Sequence, residues 1–84
     1  MMGELSERAV GVRAAELKAR VRVQRRTAVT LRAMSNNARL HHQDGAADLF
    51  EHSAEFAERK AATLFAELLT LTEGYLKVET EGQP

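Results

Sequence analysis

Cysteine and tryptophan are absent from this 84-residue chain, and proline occurs only once, at Pro84. Without cysteine, neither a disulfide nor a thiolate metal site can form, and the redox compartment is left open. Aromatic residues are few, Phe50, Phe56, Phe65 and Tyr75, so any core is built mainly from Ala, Leu and Val and is thin. A thin core in a short chain usually needs help from oligomerisation. No apolar run approaches the roughly 20 residues that span a bilayer. The opening Met-Met-Gly-Glu-Leu-Ser-Glu also lacks the basic start and apolar stretch of a signal peptide. A cytoplasmic location without membrane contact is the resulting expectation. A chain of this length forms one small domain with no room for a deep pocket. Ser6, Ser35, Ser53 and the threonines have no base and acid partners in a hydrolase order, so neither an enzyme activity nor a cofactor is expected.

What the chain has in quantity is alanine and arginine. Fourteen alanines, and nine arginines against three lysines, describe a helix former, since both residues rank high in helix propensity. The formal net charge of zero hides a division. Residues 1–42 hold nine bases against three acids, a balance of +6, and residues 43–84 hold three bases against nine acids, a balance of −6. Halves of opposite sign attract, and folding one onto the other is the simplest use of that attraction.

Apolar spacing supplies the elements. A stripe runs Val10, Ala14, Leu17, Val21, Gln24, Ala28, Leu31, Ser35, Ala38, alternating steps of four and three. A second stripe of the same period runs Phe50, Ala54, Ala57, Ala61, Leu64, Leu68, Leu71. Such spacing keeps one face of a helix toward a partner in left-handed packing. Ser6 is the expected N-cap of the first helix, and Gly11 weakens its opening by about 1 kcal/mol. Ser35-Asn36-Asn37 is a point where a kink could form, because asparagine competes with the helical backbone; continuity to His42 is the favoured reading. Asp44-Gly45 is the strong turn signal, with Asp44 as cap of the second helix, and Gly74 reads as its C-cap. Residues 69–80 read as continued helix, tail or a small β-hairpin, with the first two favoured. The fold expected is all-α, an antiparallel helical hairpin in a single domain. Helix 1 covers about 6–42, the hinge 43–45, helix 2 about 46–73 and a C-terminal tail 74–84.

Charge placement gives the direction of packing independently of the short connection. One residue after the stripe positions lie Lys18, Arg22, Arg25, Arg32 and Arg39 on the first helix, and Asp48, Glu51, Glu55 and Glu58 on the second. Equivalent flanks face each other in an antiparallel pair. Opposed residues then have numbers adding to about 88–90, so Arg39 meets Glu51 and Arg32 meets Glu55 or Glu58. Each exposed pair of this kind contributes about 0.2–1 kcal/mol, which orients more than it stabilises. The same register leaves Lys18, Arg22 and Arg25 opposite Phe65, Leu69 and Thr72, where the acids have run out.

That mismatch carries the functional expectation. Phe65 and Leu69 lie on a face the hairpin cannot cover, so a second copy is expected to cover it in a symmetric four-helix bundle, as a dimer or tetramer. The residues expected to build the interface are Phe65, Leu68, Leu69 and Leu71, with Val10, Leu17, Val21 and Leu31 opposite. The chain then reads as a protein-interaction or structural-regulatory module. One alternative is a small nucleic-acid-binding protein using Lys18, Arg22, Arg25 and Arg26; it is not favoured, because these bases are spread around the helix and no stacking platform accompanies them. Another is a subunit that folds against a different protein. His41, His42 and His52, near Asp44, Asp48, Glu51 and Glu55, are weak metal candidates. Their spacing matches no ligand motif, so exposed histidines at a helix end are the favoured reading and no metal is expected.

Overall fold

A computed structural model of the chain describes the backbone of residues 7–81 and the side chains of residues 7–74. Two helices account for nearly all of it: α1, Glu7–Leu40, and α2, Asp44–Glu81. They pack against each other along a rod of 65 × 17 × 17 Å with a radius of gyration of 18.7 Å. A compact chain of this length would have a radius of gyration of about 12 Å, so the hairpin is an extended, all-α object. There is no strand among the described residues.

Burial follows the two stripes. Val10, Leu17, Val21, Ala28, Ser35 and Ala38 of α1 are buried, as are Ala54, Ala57, Ala61 and Leu68 of α2. The remaining stripe positions, Ala14, Gln24, Leu31, Phe50, Leu64 and Leu71, are half-buried. The second stripe extends one step closer to the hinge than its apolar pattern suggests, to the fully buried Ala47. Alanine dominates the hinge-side half of this interface, and side chains of that size let two helix backbones approach closely.

α1 passes through Ser35-Asn36-Asn37 without a break, and Ser35 joins it to α2. Its hydroxyl donates to the Ala47 carbonyl oxygen across the helix pair at 2.9 Å. Ser35, the one buried polar side chain among the described residues, is thereby satisfied between helices, and its hydroxyl does not compete with α1's own backbone.

The reversal lies two residues earlier than Asp44-Gly45 implies. Gln43 N–H donates to the Ala38 carbonyl at 2.8 Å and His42 N–H to the Arg39 carbonyl at 3.0 Å, with His42 at a φ of 59°. These two bonds around a left-handed residue are the Schellman ending of a helix. The Gln43 carbonyl already accepts from Ala47 N–H at 2.9 Å, so Gln43 is the cap residue of α2. Asp44 and Gly45 sit inside its first turn, where the Asp44 carboxylate suits the positive end of the helix. The expected hinge 43–45 is therefore corrected to 41–43. Gly74 is not a C-cap either: α2 runs through it to Glu81, and the hairpin reading of 69–80 gives way to helix. Ser6 lies outside the described residues.

Candidate interaction surfaces

The two flanks of the hairpin differ in chemistry. On the flank one residue after the stripes, the hinge-side half is an ion-pair ladder. Arg39 Nη2 lies 2.6 Å from Glu51 Oε2 and 3.6 Å from Asp48 Oδ1. Arg32 donates through Nε and Nη2 to both carboxylate oxygens of Glu58, at 2.9 and 2.7 Å, and reaches Glu51 at 3.8 Å. This bidentate hydrogen bonding holds the Glu58 carboxyl below the usual carboxylate range and raises the already high guanidinium pKa of Arg32. The antiparallel register picks out Arg39–Glu51 in advance and leaves Arg32 between Glu55 and Glu58, of which the structure pairs it with Glu58.

Farther from the hinge the same flank changes character. Lys18, Val21, Arg22, Arg25, Phe65 and Leu68 line a shallow groove. The Arg25 guanidinium carbon lies 5.4 Å from the Phe65 ring centroid, a cation–π geometry that takes the place of an ion pair. Phe65 and Leu69 remain 38% and 47% exposed. Of the other residues expected at an interface, Val10, Leu17, Val21 and Leu68 are buried between the two helices of the one chain, and Leu31 and Leu71 are half-buried there. Only Phe65 and Leu69 of that set are left to meet another molecule.

The opposite flank holds features that, Phe56 apart, the sequence reading passed over; Phe56 reads there as core or subunit interface. Arg13 bridges Glu16 and Glu67 at 2.9 and 2.6 Å, and closer to the hinge there is little charge. Val23, Met34, Leu49 and Phe56 are 60%, 42%, 69% and 60% exposed. Lys60 covers part of this surface, with its Nζ 5.9 Å from the Phe56 ring centroid.

Residues 17–31 and 59–66 contain no acid at all. The antiparallel register brings these segments to one level, so Arg59 and Lys60 of α2 join Lys18, Arg20, Arg22, Arg25 and Arg26 of α1. Seven bases encircle the waist of the rod, and among the described residues none of them has an ion-pair partner. Applying the register that pairs Arg32 with Glu58 to the next turn would have located Arg59 and Lys60 from sequence.

The histidines are dispersed. His41 Nδ1 is 2.9 Å from the Asn37 carbonyl oxygen, His42 is exposed at the reversal, and His52 Nδ1 lies 3.7 Å from Glu55. Among the described residues no three His, Asp or Glu side chains gather at one point, and no helix there is long and apolar enough to cross a membrane. In comparisons with known proteins, the chain matches no family model, no curated protein and no solved structure.

Proposed function

We propose that the hairpin is a non-enzymatic interaction module that works by self-association, with exposed apolar side chains of two copies packing into a four-helix bundle. One observation carries this reading: among the described residues Leu17 is the only large side chain that is fully buried, while nine large apolar side chains, Phe65 and Leu69 among them, stay exposed. A second hairpin would bury these exposed side chains and add to the stability of a core built mostly of alanines. The test is Leu69→Lys combined with Phe65→Ser. Both residues lie outside the hairpin's own core, so helicity should survive while the assembly falls to monomer in sedimentation. A variant that keeps the parent's mass would remove Phe65 and Leu69 from the interface.

The waist of seven bases favours a second reading, contact with a polyanion such as nucleic acid. That reading expects retention on DNA at about 50 mM salt, falling steeply as salt rises. It also expects loss of binding on Arg25→Glu with Arg26→Glu. No retention on either duplex or single-stranded DNA would end it.

A further inference from the structure

From the placement of charge on the flank that holds Phe65 and Leu69, we infer that two copies pair antiparallel and staggered, each laying its hinge-side half across the other's waist. The inference rests on self-association and adds its geometry. The hinge-side half of this flank carries Asp48, Glu51, Glu55 and Glu58 against Arg32 and Arg39, and those two arginines bond Glu58 and Glu51 most closely. Asp48 keeps a 3.6 Å approach to Arg39, and Glu55 lies 3.7 Å from His52 and feels Arg32 only through longer-range attraction. The waist half of the same flank carries Lys18, Arg22 and Arg25 around Phe65 and Leu69, with no acid beside them. A single face is thus acidic at one end and basic at the other.

Only one arrangement satisfies such a face twice. A parallel pair sets waist on waist, and an antiparallel pair in full overlap does the same, because the waist lies near the middle of the rod. Like charges opposed in an interface are costly. An antiparallel pair slid along the rod brings Arg22 and Arg25 of each copy to Asp48 and Glu55 of the other. A two-fold axis makes both contacts at once, as an isologous dimer requires. The acidic and basic centres are about 15 residues, or roughly 23 Å of helical rise, apart. The two-fold then falls near Val29, which is 70% exposed on the line of Arg22, seven residues earlier. Phe65 and Leu69, beside the basic cluster, are covered by the hinge-side half of the second copy.

Charge reversal tests this directly. One variant is Arg22→Glu with Arg25→Glu; the other is Asp48→Arg with Glu55→Arg. Each alone opposes like charges and should dissociate roughly tenfold or more readily than the parent, with helicity unchanged. Mixed in equal amounts they are complementary again at both contacts, so dimer should return as a heterodimer. The neutral versions, Arg22→Gln with Arg25→Gln and Asp48→Asn with Glu55→Gln, should weaken the dimer less and guard against local misfolding. If reversed variants dimerise like the parent, or a mixture fails to recombine, the stagger is wrong while self-association stands. A parent that is monomeric overturns both.

Discussion

His42 occupies the left-handed region at a φ of 59°, a conformation that costs an L-residue about 1–2 kcal/mol and glycine almost nothing. His42→Gly should therefore stabilise the hairpin by about 1 kcal/mol, a rise in midpoint of about 4–8 °C for a domain of this size. Thermal melting followed by circular dichroism checks it, and an unchanged or lower midpoint would mean the imidazole has a role that its exposure does not suggest. Glu58 defines a pH response. Its carboxyl titrates below the ordinary value of 4.5 because Arg32 hydrogen-bonds the charged form. A depressed folded pKa gives stability that is fully present above the unfolded value and is lost as pH falls through the folded one. Acidification from neutral pH to 5 should leave this contribution intact, and the loss should begin below about 4.5. Glu58→Gln should be less stable than the parent at pH 7 and flatter in its dependence below pH 4.5; equal slopes for the two would contradict the assignment.

At the scale of the helices, alanine sets the separation. Ala28, Ala47, Ala54, Ala57 and Ala61 are at most 3% exposed, so a larger side chain has nowhere to go without pushing α1 and α2 apart. Ala54→Leu should cost about 1–3 kcal/mol by overpacking, measured by urea denaturation; a neutral result would mean the interface is loose. Gly74→Ala should do the reverse. Nothing lies within 4 Å of a side chain added there, and alanine is favoured over glycine in a helix interior by about 1 kcal/mol. The elements most legible in the sequence were those with redundant cues. The stripes from Val10 to Ala38 and from Phe50 to Leu71 repeat the same spacing many times, and the flank charges agree with them, so both burial and the Arg39–Glu51 pair could be read in advance, with Arg32 left between Glu55 and Glu58. Single-residue cues fared worse. Asp44-Gly45 resembles a turn, yet an aspartate and a glycine are also tolerated in a first helical turn, and histidine gives little signal of the left-handed conformation it adopts at His42. Gly74 resembles a stop, yet α2 continues through it. Phe56 stands out in the sequence as a core or interface aromatic and is 60% exposed, whereas Leu49 was hidden because an exposed apolar residue off the stripe has no periodicity of its own.

Across the whole rod, charge varies in bands that net neutrality conceals: acidic residues gather toward the hinge, and seven bases with no acid encircle the waist. Within a single hairpin none of these seven bases has an ion-pair partner among the described residues, and Glu51 and Glu58 are engaged by Arg39 and Arg32. The apolar side chains left outside the core, Phe65 and Leu69 among them, are the other observation on which the proposed self-association rests. Self-association is the central claim, and absolute mass in solution by light scattering, at about 50 mM and about 500 mM salt with helicity recorded alongside, tests it most directly. The account predicts a helical dimer, or a tetramer built from it, at both salts, since apolar burial persists when charges are screened within about 10 Å at 0.1 M salt and less at higher salt. A monomer at both salts would contradict it, and would leave Phe65 and Leu69 to a different protein.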